Sequence, residues 1–199
     1  MNKMKLEGTN LTPVLPVCPV VLVGSNVDGR PDFAAVAWVG VAANNPPAIT
    51  ISLQPHRYSL KGIHQNMNFS VNIPSVDILP ETDYCGMISG NKTDKVTDTK
   101  FNIFYGSLST APLIEQCPVN HACEVVQILN LGSHQLVIGR IKETFVTEGC
   151  LEDGRPDIER IKPFFFSLTG KYTCVGETAG EAFRTGTVVS PVKFRKSDE

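Results

Sequence analysis

The chain has 199 residues, of which 42% are hydrophobic and 19% are charged, and its formal net charge is −2. This composition favours one globular domain, and the charge is too small to predict a basic surface for nucleic acid or an anionic membrane. No apolar run approaches the roughly 20 residues that span a bilayer, and no apolar signal core follows the basic N-terminus. We therefore expect a cytoplasmic protein without nucleic-acid or membrane partners.

Short apolar and β-branched segments, separated by Gly, Pro and Asn, follow one another along the chain. Residues 20–23 predict a first strand, and residues 24–29 predict the turn of a hairpin. Residues 33–43 are small and apolar almost throughout and predict a second strand, which ends before two prolines. Alternating or β-branched patterns predict the later strands, which are 48–53, 69–73, 123–131, 135–146 and 164–174.

Few helices are predicted. Ser59 is the expected N-cap of a short helix whose apolar face holds Leu60, Ile63 and Met67. Residues 75–88 predict another short helix with a break near Pro80. Many strands with one or two short helices are typical of a β-barrel or sandwich, and they exclude the alternating βαβ pattern.

Several common catalytic motifs are absent from the sequence. The spacing of Gly24 and Gly29 resembles a P-loop, but Arg30 and Pro31 follow where Lys and Ser or Thr are needed. No G-x-G-x-x-G follows a strand, and neither H-E-x-x-H nor G-x-S-x-G occurs. The motifs therefore give no support to a Rossmann dehydrogenase, a metalloprotease or a serine hydrolase.

The six cysteines are scattered, without a C-x-x-C pair. Cys117, His121 and Cys123 form the tightest cluster and could ligate zinc, but no second ligand pair has the spacing of a zinc finger or ribbon. We therefore favour free thiols packed as small apolar groups, and we expect no metal site.

Three segments could carry chemistry. Residues 54–63 run from a strand into a helix, where free N–H groups and Arg57 could bind a phosphate, although an ordinary capped helix explains them too. Residues 89–95 form a polar loop that could close over an anion, or a solvated turn. Residues 32–40 have small side chains that would let a flat ligand approach, with Trp38 beside it, unless they form only a core strand.

Taken in chain order, these segments resemble the flavoredoxin-like flavin reductases, the FMN-binding split-barrel family, over about residues 14–175. Each motif is short, and the ordered set carries the resemblance. The similar stretches are 19–24, 29–32 with 35–38, 46–47 with 51–53, 57–59, 68–74, 89–90 with 93–95, 111–114, 123–124, and 133–134 with 139.

The resemblance implies a mainly β fold, a six-stranded Greek-key split β-barrel with a few short helices. Residues 1–175 would form the FMN-binding domain, and residues 176–199 would form a C-terminal extension or dimer arm. A homodimer is implied as well, with FMN near the interface.

The resemblance also implies which residues contact FMN. On the phosphate and ribityl side these are Arg57, Tyr58, Ser59, Ser89 and Lys95. Around the ring they are Val36, Ala37 and Trp38, the backbone of Ser52, Leu53 and Gln54, the bracing side chain of Asn72, and His134 and Phe166 from later in the chain. Lys95 and His134 are candidates for stabilising the reduced form of FMN, and no catalytic residue beyond FMN itself is implied.

Three positions depart from the family pattern. Asp32 stands where the family often has Asn, and a carboxylate close to the flavin would disfavour its anionic reduced form. Ser133 replaces a usual Asp, and Val96 stands where an aromatic residue is common.

The implied function is an FMN oxidoreductase that passes electrons from NADH or NADPH to a flavin, ferric or protein acceptor. One alternative is a flavoredoxin-type electron carrier that a protein partner reduces. A second is a non-catalytic flavin-binding module, and an enzyme like pyridoxamine-phosphate oxidase fits the motifs less well.

Overall fold

The computed structural model describes residues 3–5, 15–167, 169–182 and 184–189. Within these residues the fold is mainly β, as predicted. Its strands are β1 (Val17–Pro19), β2 (Val21–Val27), β3 (Arg30–Val36), β4 (Val39–Asn44), β5 (Pro47–Leu53), β6 (Asn68–Ile73), β7 (Ile103–Phe104), β8 (Leu113–Ile114), β9 (Val119–Asn130), β10 (Gln135–Val146), β11 (Leu151–Glu152), β12 (Arg155–Pro156), β13 (Phe164–Ser167) and β14 (Tyr172–Cys174).

The helices are short, and their bounds are α1 (Tyr58–Asn66), α2 (Leu79–Met87), α3 (Lys95–Thr99) and α4 (Ile158–Ile161). Two expectations about them need correction. The N-cap of α1 is Arg57, without a side-chain cap, because the Ser59 hydroxyl donates to Asp32 instead. Pro80 lies in the first turn of α2, where its missing N–H is no loss, so it begins the helix and does not break it.

The principal sheet has seven antiparallel strands in the order β3-β2-β6-β9-β10-β5-β4. It therefore has one strand more than the six that the resemblance implied. The extra strand arises because the segment predicted as one strand over 33–43 is divided at Ala37 and Trp38 into β3 and β4. The hairpin expected near Gly29 is present, and its turn residues Asp28 and Gly29 both have positive φ.

The break after β3 explains how the sheet becomes a split barrel. β3 and β4 occupy the two opposite edges of the sheet, yet only Ala37 and Trp38 separate them along the chain. A two-residue link can join two edges only if the sheet curls until those edges approach each other. In this link, the Trp38 carbonyl accepts a hydrogen bond of 2.8 Å from the backbone N–H of Ser52.

The interior of the curled sheet is the main core. Alternate residues of six of its strands point inward, and Leu60 and Ile63 of α1 pack against them. A second cluster, which includes Leu22, Phe33 and Phe101, covers the other face of β2 and β3 beneath α2 and α3. Fully burying such side chains stabilises the fold by roughly 1.5–3 kcal/mol each.

β1, β13 and β14 form a separate three-stranded sheet. The strand predicted over 164–174 is thus a pair of strands joined by a turn. The predicted C-terminal extension, residues 176–199, is described only at 176–182 and 184–189, and its remainder lies outside the described residues. No helix in the described ranges is long and apolar enough to cross a membrane.

All six cysteines are free, but only four of them are packed in the interior as the sequence analysis expected. Cys174 is exposed and Cys150 is half-buried, whereas the other four are buried. Among the described residues, no group of three or more His, Cys, Asp or Glu side chains could hold a metal ion. Of the three residues considered as zinc ligands from the sequence, Cys117 and Cys123 are buried. The third, His121, has its Nδ1 2.9 Å from Thr144 Oγ1.

We expect thiol reactivity to follow this burial. Burial raises the pKa of the Cys85 and Cys123 thiols to about 12, and it also raises the pKa of Cys117 strongly. Titration with Ellman's reagent at pH 8 is expected to modify Cys174 first and Cys150 more slowly, with the other thiols reacting only after unfolding. Cys174→Ser would remove the fast phase, and rapid reaction of four or more thiols in the folded protein would contradict the structure.

Candidate functional site

A cavity of about 380 Å³ lies where β3 and β5 end. Its volume falls within the range of small-molecule and cofactor sites, roughly 300–1,000 Å³. Nine of the fourteen residues predicted to contact FMN line it, and these are Val36, Ala37, Trp38, Ser52, Leu53, Gln54, Arg57, His134 and Phe166.

The first wall of the cavity is the end of β3 and the link to β4. The last residue of β3 to pair with β2 is Val36, and pairing with β5 begins at Val39. Ala37 and Trp38 therefore lie outside both ladders. The small side chain of Ala37 lets a flat molecule approach the backbone closely. The Trp38 carbonyl already accepts a hydrogen bond from Ser52, so only the other backbone groups of this link could exchange hydrogen bonds with the edge of a ring.

The second wall follows from the end of β5. After Leu53 the chain turns, with the Arg57 N–H donating to the Gln54 carbonyl at 3.0 Å, and α1 begins at Tyr58. This turn carries the Arg57 side chain into the cavity, where Nη1 donates to the Gly86 carbonyl of α2 at 3.1 Å. Arg57 forms no salt bridge with any described residue. Its guanidinium therefore retains donors for an anion.

Trp38 and His134 form an aromatic pair at the rim. Their ring centroids are 4.2 Å apart, and their planes are inclined by 34°. Trp38 is 47% exposed, so it does not fill the core as a buried tryptophan would. His134 comes from the turn before β10, and its Nδ1 lies 3.0 Å from the hydroxyl of Ser133.

The far wall was not predicted from the sequence, apart from Phe166. It consists of Asp83, Gly86 and Met87 from α2, and of Tyr172 from β14 beside Phe166. The Tyr172 hydroxyl donates to Asp83 Oδ1 at 2.6 Å across 89 positions of sequence. No local pattern signals a contact between residues so far apart, and only the fold brings them together.

A smaller cavity of about 120 Å³ lies beside residues 89–95. Tyr58 and Lys95 line it, together with Arg30, Asp32 and Thr93. The predicted phosphate-side residues are therefore divided between two cavities. Ser89, half-buried at the start of the loop, accepts a hydrogen bond from the Lys92 N–H through its carbonyl and lines neither cavity.

Lys95 and Ser59 differ from the prediction, because their polar groups are already engaged in the interior. Lys95 is 4% exposed, and its Nζ donates to the carbonyls of Phe33 at 2.6 Å and Cys85 at 3.2 Å. The same Nζ lies 3.5 Å from Asp32 Oδ1, while Ser59 Oγ donates to Asp32 Oδ2 at 2.8 Å. Neither side chain presents a spare charged or hydroxyl group to the larger cavity.

Asp32 is likewise absent from the larger cavity. Its carboxylate is buried against Lys95 and Ser59, and a Cβ added to Gly90 would clash with it, so the loop packs directly on this group. Asp32 is therefore not placed to disfavour the anionic reduced form of a flavin in the larger cavity, as the sequence had suggested.

Asn72 lies in the interior behind the sheet. Its amide donates to the Leu22 carbonyl at 3.0 Å, and its Oδ1 accepts from the Ile114 N–H at 3.0 Å and from the Asn120 side chain at 2.8 Å. This fully engaged amide ties β2, β8 and β9 together. Its predicted bracing of the site can only be indirect, through the position of β2.

The larger cavity fits the FMN that the resemblance implies. For a planar ring it offers the small apolar side chains of Val36 and Ala37, and the polar groups of Ser52 and Gln54. For a phosphate it offers a guanidinium with spare donors.

Comparison with known proteins bears on the family and the fold of the chain. Residues 17–157 match the family model described as "Flavin reductase like domain". The chain is similar to a flavoredoxin from Methanosarcina acetivorans, with 35% identity and a TM-score of 0.89 over 95% of this chain and 100% of the other. The flavoredoxin of Desulfovibrio vulgaris (Miyazaki F) has 30% identity and a TM-score of 0.83, with coverages of 92% and 100%. An uncharacterized protein of Archaeoglobus fulgidus is 28% identical over 156 residues, which are 78% of this chain and 86% of that protein.

Proposed function

This chain belongs to the flavin reductase like domain family, and from that premise we propose that it binds FMN in the larger cavity and passes electrons from NADH or NADPH through it to an acceptor. The observation that carries the proposal is that nine residues predicted from sequence converge on one cavity of suitable volume. The acceptor would be a free flavin, a ferric complex or a redox protein. A cytoplasmic location, where reduced nicotinamide is available, belongs to the same proposal.

The side chains would act by binding and orienting. Arg57 would bind the phosphate of FMN, and Val36, Ala37 and Trp38 would lie against its ring. The half-exposed Trp38 leaves one side of the cavity open to a second molecule. FMN when bound supplies the hydride and electron chemistry that the side chains of this cavity lack.

A flavoredoxin-type electron carrier is the second candidate. It is favoured by the similarity to two proteins named flavoredoxins, at 35% and 30% identity. The open cavity rim suits a protein donor as well as a dinucleotide. A non-catalytic flavin-binding module has no structural observation of its own in its favour.

One experiment separates these functions. The purified protein is incubated with FMN, freed of excess by gel filtration, and its spectrum is followed from 300 to 550 nm under argon while NADH or NADPH is added. Bleaching of the flavin bands by either nucleotide supports the reductase. Bleaching by dithionite alone supports the carrier, and failure to retain or bind FMN overturns the proposal.

We also propose a homodimer, supported by the exposed edge of the main sheet. β4 pairs only with β5 among the described residues, and its Val41 is 87% exposed. Leu131, next to the tip of the β9–β10 hairpin, is 61% exposed. An apolar edge strand of this kind readily associates with another chain.

Val41→Lys combined with Leu131→Asp is expected to raise the dimer dissociation constant at least about 30-fold, because it removes apolar burial and adds charge. Sedimentation equilibrium measures the change. Ile158→Lys alters an exposed residue of α4, away from this edge, and should leave the dimer intact. A dimer that is equally stable in the double variant would exclude this edge as the interface.

A further inference from the structure

The cavity contains a carboxylate that the proposed function does not use. Asp83, on α2, is half-buried, and the hydrogen bond of 2.6 Å from the Tyr172 hydroxyl occupies only its Oδ1. No salt bridge reaches Asp83 from any described residue. The remaining oxygen, Oδ2, and the full negative charge therefore stay on the wall of an open cavity.

Tyr172 holds this carboxylate in a fixed place. Its ring packs edge-on against Phe164, with centroids 5.4 Å apart, and at 6.0 Å against Phe166. Burial, and then the hydrogen bond to Asp83, raise the pKa of Tyr172 to about 12. The hydroxyl is therefore a donor at any ordinary working pH, which orients the carboxylate without neutralising it.

The other charged and titratable groups on the cavity wall do not cancel this charge. Arg57 donates to the carbonyl of Gly86, one helical turn along α2 from Asp83, yet the two charged groups form no salt bridge. In the proposed function the guanidinium is paired with the phosphate and is not available to Asp83. His134, on the rim, is stacked on Trp38 and forms no hydrogen bond with Asp83. Once the phosphate is bound, the carboxylate of Asp83 therefore remains without a cationic partner on the cavity wall.

We propose that Asp83, oriented by Tyr172, selects by charge among the small electron acceptors that reach this cavity, favouring cationic or hydrogen-bond-donating acceptors and disfavouring anionic ones. This proposal rests on the function proposed above. It concerns Asp83 and Tyr172, which the sequence did not indicate, and Tyr172 lies beyond the residues that match the family model.

The first test needs no cofactor. Trp38 is the only tryptophan of the chain and lines the same cavity, so its fluorescence reports on ions that enter. At constant ionic strength, Asp83→Asn is expected to raise the Stern–Volmer constant for iodide and lower that for caesium, changing their ratio about twofold. Quenching by neutral acrylamide should stay the same, because the amide preserves the shape of the side chain.

A matched pair elsewhere provides the control. The Tyr84 hydroxyl donates to Asp98 Oδ2, also at 2.6 Å, but neither residue lines the larger cavity. Asp98→Asn should therefore leave the iodide-to-caesium ratio unchanged. An unchanged ratio in Asp83→Asn, or an equal change in both variants, would overturn the proposal.

The second test uses FMN-loaded protein reduced under argon. Hexaammineruthenium(III) and ferricyanide serve as cationic and anionic acceptors, and two acceptor ions take one electron each from every reduced cofactor. At 10 mM ionic strength, Asp83→Asn should slow the reduction of the cationic acceptor and accelerate the reduction of the anionic one, changing the ratio of the two rates at least about fivefold. At 1 M salt the difference should disappear, because the screening length falls from about 30 Å to about 3 Å.

The pattern of rates separates the possible outcomes. Two rates that rise or fall together would mean that Asp83 sets the reduction potential and does not select by charge, which overturns the inference. Tyr172→Phe keeps the ring but releases the Asp83 carboxylate from its fixed position on the cavity wall. The ratio of the two rates should therefore change in the same direction as in Asp83→Asn, but by less, because the charge is retained. If neither the wild type nor any variant binds FMN, the proposed function fails. The ratio of iodide to caesium quenching still decides, in that case, whether Asp83 controls the entry of ions.

Discussion

Replacement of Lys95 by Met is expected to lower the free energy of unfolding by about 3–5 kcal/mol. The Nζ of Lys95 is buried between two backbone carbonyls and the carboxylate of Asp32, at 2.6, 3.2 and 3.5 Å. Without the lysine, Asp32 is left charged in the interior with Ser59 as its remaining side-chain donor. Urea denaturation followed by far-UV circular dichroism measures the loss.

Two comparisons show whether burial is the cause. Lys61 and Asp28 form a closer pair, at 2.6 Å, but both side chains are about half exposed to solvent, so Lys61→Met should change stability far less than Lys95→Met. The double variant Asp32→Leu with Lys95→Met removes both charges and should recover much of the stability lost in Lys95→Met. A loss as small as that of Lys61→Met would show that the interior pair is not desolvated as the structure indicates.

Arg57→Met is expected to weaken FMN binding about 30- to 300-fold, which corresponds to roughly 2–3.5 kcal/mol. Hydrogen bonds from a guanidinium to an ionised phosphate are stronger than those between neutral groups, and methionine preserves most of the side-chain volume. The hydrogen bond to the Gly86 carbonyl is lost as well, so the position of α2 contributes to the effect. Quenching of FMN fluorescence on titration with protein gives the dissociation constant.

Two other arginines make this prediction specific. Arg140 is exposed on β10 outside both cavities, and Arg140→Met should leave the affinity unchanged. Arg30 lines the smaller cavity. If Arg30→Met weakened binding while Arg57→Met did not, the phosphate would occupy the smaller cavity, and our assignment of Arg57 would be wrong.

The sequence predicted those parts of the site that are continuous along the chain. Residues 36–38 and 52–54 carry local signals, small side chains beside the only tryptophan and a strand running into a helix, and the structure places both stretches on one cavity. Lys95 and Ser59 were interpreted as free polar groups because sequence does not show which partner already holds a side chain. The contact of Asp83 with Tyr172 depends on the fold alone, since it joins α2 to a separate small sheet.

The strand prediction failed in one instructive place. Residues 33–43 have no Gly or Pro at the point where the strand breaks, because the break is imposed by the two sheet edges and not by local backbone preference. A propensity argument treats Ala37 and Trp38 as ordinary strand residues. Only the pairing of β3 with β2 and of β4 with β5 shows that the chain changes partner there.

The two-residue link also couples binding thermodynamically to the integrity of the barrel. The same short segment joins the two edge strands and forms a wall of the cavity, so separating these edges would also disrupt the contact with a ligand. Any molecule held against Ala37 and Trp38 therefore adds its binding free energy to the closed state, by RT ln(1 + [L]/Kd). Amide hydrogen exchange along β3 and β4 would slow in the same proportion. The exchange rate of these two edge strands would therefore report whether a ligand is bound.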